Sequence, residues 1–417
     1  MKKELNVLFV SEYWPPKVQG GGELSTSKLA AALVRHGVSV TVLTSHFPNL
    51  KKEEIIDGVL VLRRMETGSN PSSFRSNYKR YFQFSGMVKK EITKLLKETK
   101  FDVIHYFGVQ SSFSEEEIKS KLIIHINSPV PFCPKGTLML EDAQQCHHRC
   151  TMSKFIKCLM HSKEIGKMPN RFYLKYNPIM WWFLYSYYER RLDKLRGYDG
   201  YSPNSEFMKF QLIKAGIRKE KIHVVPAIIN IEEFKKLKPA NNKVPALLCL
   251  SSYVENKGVM QLLNALSTID FKYTCDFYGE GTLKNKMKQF VKKNRLGSKV
   301  KIHNKVDYSK IPAIMEKCDI LVQPSLVAEA IPRTVLEAMA AGRIVVSSSI
   351  GGAQYVIKNK ETGILVNPYL IMDLRQGIID SLMMHANKSE IGKKAVDAVK
   401  DYGEETVIRK LLELYNG

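Results

Sequence analysis

The stretch that most restricts the fold is 319–342. An apolar run, Asp319-Ile-Leu-Val, is stopped by Pro324 and Ser325 and reads as a buried strand entering a loop. Residues 334–341 are good helix formers, Gly342 stands just beyond them as a C-cap, and Pro332 suits the first turn. A strand, a loop and a helix in that order are the unit of a parallel α/β sheet. Glu329 falls in the loop and Glu337 about one turn into the helix. The free N–H groups between them suit an anion, and each carboxylate can accept two hydroxyl donors. A ligand that offers a polyol, a diphosphate and a ribose diol in that order, as a nucleotide sugar does, fits this spacing.

At 417 residues the chain has room for two or three domains, and 44% hydrophobic with 25% charged residues is ordinary for a globular protein. No apolar run approaches the ~18 residues of a membrane span. The basic start is followed by an apolar segment at 7–10 that is too short for a signal peptide, so the expected location is the cytoplasm. The net charge of +23, concentrated in the first half, attracts anionic partners of several kinds. Nucleic acid is not expected among them, because no DNA- or RNA-binding signature or zinc-finger spacing occurs.

Along the chain, 6–10 reads as a strand, Pro15 and Pro16 end any regular element beyond it, and Gly20, Gly21 and Gly22 precede an amphipathic helix at 24–35. Glycine lets backbone approach a phosphate or sugar closely, although a plain tight turn has the same composition. Residues 54–64 read as a strand pair about Asp57-Gly58, followed by basic and aromatic residues at 75–82. His105 lies in an apolar run, and Asn127 ends another. Cys133, Cys146, Cys150 and Cys158 cluster with His147 and His148, in a spacing that matches no common zinc module. A structural zinc and free thiols both remain open for them. Residues 171–191 interleave Trp, Tyr and Phe with Arg and Lys. Such a stretch either touches an anionic membrane surface or packs in a core.

The run Pro-Ser, then Glu329, seven residues, and Glu337-Ala-Met-Ala-Ala-Gly resembles the donor-site signature of retaining glycosyltransferases of family four. The resemblance covers nearly the whole chain. It implies the GT-B fold, α/β with two Rossmann-like domains facing a cleft, and a C-terminal helix that packs back on the first. The expected boundaries are 1–225 for the acceptor-side domain, 226–395 for the donor domain and 396–417 for the last helix. Carried over, Glu329 touches hydroxyls of the donor sugar and Glu337 holds the ribose. Ala330, Ile331, Pro332, Arg333 and Thr334 line the diphosphate, and Gly20, Gly21 and Gly22 close over it.

Ser251-Ser-Tyr-Val-Glu-Asn-Lys257-Gly258 resembles the family's Gly-Arg, four residues, Lys-Gly. Lys257 is retained, and Ser252 stands where the family's diphosphate-clamping Arg would be, which leaves Arg333 or the basic first half to compensate. His105 resembles a histidine near the acceptor, Asn127 takes the place of the family's catalytic-side His, and Tyr355 stands where Glu is usual. An amide can bond a hydroxyl but cannot take its proton. The strand at 299–303 resembles the one beside the nucleobase.

The implied activity is transfer of a hexosyl unit, with retention, from a nucleoside diphosphate sugar to a lipid-linked or cell-envelope glycan. No cofactor is required, and the expected site of action is the inner face of the membrane. The rivals are a degenerate membrane- or partner-binding subunit and a nucleotide-sugar epimerase or hydrolase.

Overall fold

Apolar runs that alternate with polar turns become strands covered on both faces, which is why they read as continuous hydrophobic stretches and not as alternating ones. The computed structural model describes residues 5–18, 20–68, 83–109, 118–140, 144–146, 149–161, 176–240 and 242–417. The basic and aromatic residues at 75–82, His147, His148 and residues 171–175 of the aromatic stretch lie outside the described residues.

The first unit comprises Met1–Ile228 and Glu404–Gly417. Its strands are β1 (Asn6–Ser11), β2 (Ser39–Ser45), β3 (Glu53–Ile56), β4 (Val59–Met65), β5 (Val103–Phe107) and β6 (Lys121–Ile126). A two-stranded ribbon, β7 (Met139–Leu140) with β8 (Gln144–Gln145), precedes β9 (Gly200–Pro203). The main sheet runs β3-β4-β2-β1-β5-β6-β9. Every pairing in it is parallel except β3 with β4. Those two strands form the hairpin read from Asp57-Gly58, whose φ values of 51° and 78° are the left-handed pair of a tight hairpin turn.

The last helix, Glu404–Asn416, belongs to this unit. Its Val407, Ile408, Leu411 and Leu414 share one core with Val7, Phe9, Leu33 and Val40. Arg35 grips Glu404 through two nitrogens, at 3.0 and 2.6 Å.

The second unit is Ile229–Gly403. It contains β10 (Ala246–Leu250), β11 (Thr274–Tyr278), β12 (Val300–His303), β13 (Ile320–Gln323), β14 (Ile344–Ser348) and β15 (Ile364–Val366). The order is β12-β11-β10-β13-β14-β15, all parallel. One face packs Leu247, Val322 and Val346 under helices, and the other packs Leu248, Leu321 and Val345 against Val335, Leu336 and Met339. The helix Arg333–Ala340 begins one residue earlier than its composition indicates, with Pro332 as its N-cap. Gly342, at φ 64°, donates to the carbonyl of Met339 and ends it. In open parallel sheets ligands bind beyond the carboxyl ends of the strands, and Glu329 follows β13 at that edge.

Candidate functional site

In the second unit, two backbone segments fix the loop that carries Glu329. Lys257 ends a short turn, Glu255–Lys257, and Gly258 after it takes φ 68°. A side chain on Gly258 would place its first carbon 1.9 Å from the carbonyl oxygen of Pro324, so the turn lies directly against the start of the loop. Leu326 donates its N–H to Asn256 at 2.9 Å and closes the contact. From the other side, Gly352 donates to the carbonyl of Glu329 at 2.8 Å. A carbon added to Gly352 would stand 1.5 Å from the carbonyl oxygen of Ala330, a clash no side chain relieves. A Gly-Gly pair directly after a buried strand is the sequence sign of so close an approach.

The two glutamates are held in contrasting ways. Lys257 Nζ donates to Glu329 Oε1 at 2.9 Å, and both side chains keep about a quarter of their surface, 26% and 21%. An ion pair this open is worth roughly 0–1 kcal/mol and is easily exchanged for a ligand. Glu337 is 1% exposed. Its Oε1 accepts from Arg333 Nε at 2.7 Å and from the Tyr308 hydroxyl at 2.7 Å. Arg333 Nη2 also donates to the Tyr308 oxygen at 3.0 Å, and the guanidinium lies 4.7 Å from the Tyr308 ring centre. Burial, and then the neighbouring Glu337 carboxylate, push the Tyr308 hydroxyl well above its ordinary acidity range, so it stays a donor. Tyr308 escaped the sequence reading because it arrives from a different loop, with no local pattern to announce it.

Among the described residues no side chain caps the first turn of Arg333–Ala340. The first N–H groups of a helix have no partner within it, and such an end suits an anion. Ser252 is exposed after β10, and Tyr355 is exposed in the turn Ala353–Tyr355. At the ends of β11 and β12, His303 stacks on Tyr278 with ring centres 4.3 Å apart and bonds Asp276 at 2.6 Å.

The first unit revises two expectations. Gly21 and Gly22 are not a loop before the helix; they form its first turn in Gly21–Arg35, and Glu23 reaches back to accept the N–H of Gly20 at 3.0 Å. Asn127 comes next to them, since a side chain on Gly22 would stand 3.0 Å from Asn127 Nδ2. His105 is not at a surface where an acceptor could reach it. It is fully buried, with Nδ1 on the Tyr415 hydroxyl at 2.7 Å and Nε2 on Ser202 Oγ at 2.8 Å. His125 shares the same Ser202 at 3.1 Å. Burial lowers both imidazoles, His125 to about 3, and each is neutral near pH 7. His105 is the middle residue of β5, so its side chain enters the core under the last helix and ties Tyr415 to the sheet.

The four clustered cysteines are half-buried free thiols. The ribbon draws them together: Cys146 donates its N–H to Leu138, and Cys158 Sγ lies 3.5 Å from the Met139 carbonyl oxygen. Burial, with Cys133, Cys146 and Cys158 near it, pushes the Cys150 thiol up to about 12. Among the described residues no group of three His, Cys, Asp or Glu is spaced to hold a metal ion. The aromatic stretch divides within the helix Pro178–Leu195. Trp181 packs near Phe155 and Leu159, while Trp182 and Ile179 are 61% and 75% exposed. No helix among the described residues is long and apolar enough to cross a membrane.

Residues 19–233 match the family model described as Glycosyltransferase Family 4, and residues 230–397 match that described as Glycosyl transferases group 1. A protein in the cps region of Klebsiella pneumoniae, itself uncharacterized, is 24% identical over 99% of this chain and 100% of its own. The N,N'-diacetylbacillosaminyl-diphospho-undecaprenol alpha-1,3-N-acetylgalactosaminyltransferase of Campylobacter jejuni is 27% identical over 51% of this chain and 58% of its own. The solved structure of Anabaena HepE with UDP-glucose superposes with a TM-score of 0.64 at 17% identity. It covers 99% of this chain and 100% of that one, and this likeness shows the fold.

Proposed function

Because this chain belongs to glycosyltransferase family 4 and carries the two parallel-sheet domains of the GT-B fold, we propose that it transfers a hexosyl unit from a nucleoside diphosphate sugar, with retention, to a hydroxyl of a lipid-linked or cell-envelope glycan. The observation that carries this reading is the pairing of an open Lys257–Glu329 contact with a buried Glu337, on either side of an uncapped helix start. Glu329 exchanges Lys257 for hydroxyls of the sugar. Lys257 and the N–H groups of Ile331, Arg333 and Thr334 take the diphosphate and stabilise the charge that develops on it as the sugar departs. Glu337 receives the ribose diol.

The lipid-linked acceptor is argued from three features. The Campylobacter relative is named for a diphospho-undecaprenol substrate. The chain carries a charge of +23, and exposed Ile179 and Trp182 lie on a helix that also bears Arg190 and Arg191. These features suit a peripheral contact with the anionic inner face of a membrane. The test supplies UDP-glucose, UDP-galactose and their N-acetylated forms with an undecaprenyl-diphosphate-linked sugar, and follows nucleoside diphosphate release by chromatography. Release that depends on the acceptor, with one added hexose on the lipid, supports the reading. Release without acceptor points to a hydrolase and overturns it.

A further inference from the structure

The missing guanidinium at Ser252 raises the question of which cation meets the diphosphate, and Arg333, at the start of the helix after the Glu329 loop, is one substitute. We propose instead that Arg333 and Tyr308 are positioning residues that hold Glu337 for the donor's ribose diol, so that Arg333 does not act as the diphosphate ligand. This proposal rests on the donor reading given above.

Three contacts commit Arg333. Its Nε bonds Glu337, its Nη2 bonds the Tyr308 oxygen, and its plane lies over the Tyr308 ring. Arg333 and Glu337 are four apart on one helix and face the same side. Arg333 is 19% exposed and its partner 1%. Turning the guanidinium toward a phosphate would leave a buried carboxylate without its cation and forfeit the ring contact, an exchange costlier than opening the partly exposed Lys257–Glu329 pair. Tyr308 and Arg333 converge on one oxygen, Oε1, which fixes the carboxylate plane and the direction in which a diol must approach. Phosphate recognition in this unit then falls to Lys257 and backbone N–H groups, with one side-chain cation where the family pattern has two.

The experiment begins by titrating wild-type protein with UDP, GDP and ADP. The nucleotide that binds is then compared with its monophosphate and its 2′,3′-dideoxy form on wild type, Tyr308→Phe, Arg333→Gln, Glu337→Gln and the Arg333→Gln/Glu337→Gln double variant. Tyr308→Phe keeps the ring and removes only the hydroxyl, so it gives an answer even if Arg333→Gln folds poorly. Thermal unfolding is followed in parallel.

Tyr308→Phe and Arg333→Gln are expected to weaken the diphosphate roughly 5–10-fold, as loss of one hydrogen bond implies. They should leave the diphosphate-to-monophosphate ratio unchanged and bind the dideoxy form as wild type does. The double variant should bind no more weakly than Glu337→Gln alone. A collapse of the diphosphate-to-monophosphate ratio in Arg333→Gln would overturn the proposal, as would unchanged binding in Tyr308→Phe. If wild type binds none of the three diphosphates, the donor reading itself fails, and the proposal with it.

Discussion

Both units carry polar side chains capable of chemistry, and the two sheets use them differently. In the first unit His105 and His125 stand within strands, so they enter the core, are held neutral by burial, and spend their hydrogen bonds on Ser202 and Tyr415. In the second unit Glu329 and Glu337 stand beyond the end of β13, one in a loop and one on the helix after it, each facing a cation. A chemically capable residue inside a strand becomes a strut, and the same capability a few residues past the strand end becomes a candidate site. Within the second unit the contrast repeats on a smaller scale. The Lys257–Glu329 pair is open and exchangeable, whereas the Arg333–Glu337–Tyr308 cluster is closed.

The largest expected effect sharpens that inner contrast. Arg333→Ala strands the Glu337 carboxylate, and urea unfolding should show a loss of ~3–5 kcal/mol. A loss below ~1 kcal/mol would mean that the closed cluster is as loose as a surface pair. Next, Lys257→Ala should leave stability within ~1 kcal/mol of wild type while kcat/KM falls ~10²–10³-fold. His105→Asn should reverse that pattern, costing ~1–3 kcal/mol of stability through unpaired buried partners, with kcat/KM of the folded fraction little changed. A selective loss of turnover in His105→Asn would break the comparison between the units.

The last prediction concerns acid. Folding depresses the His105 and His125 pKa values, so below about pH 6.5 the unfolded chain binds protons that the folded chain does not. Stability is fully present above that pH and declines as pH falls toward the folded values, by up to about 1.4 kcal/mol per pH unit for each imidazole. Chemical denaturation between pH 7 and 5 reads this slope, and replacing His125 by Phe should flatten it.

Much of this architecture was legible in local chemistry. The Asp57-Gly58 turn, the apolar run before Pro324 and the glycine after Ala341 each carry their structure in two or three residues. The start of the first helix was misplaced because glycine disfavours helix interiors, yet Glu23 supplies the cap that lets Gly21 and Gly22 form a first turn. Tyr308 lies 29 residues from Glu337 in sequence, and the Gly352 approach depends on the backbone of a neighbouring loop. Both are products of tertiary packing: no local pattern announces Tyr308, and the Gly-Gly pair after a strand signals a close approach without naming its partner. His105 was read by type, and type does not report burial.

The most direct test of the account is calorimetric titration of wild type, Glu329→Gln and Glu337→Gln with UDP and with UDP-glucose. The account predicts that Glu337→Gln weakens both ligands by the same factor, since both carry the ribose, while Glu329→Gln weakens only the sugar conjugate. Equal effects of the two variants on UDP and UDP-glucose, or wild type binding no nucleotide when GDP and ADP are also tried, would contradict it.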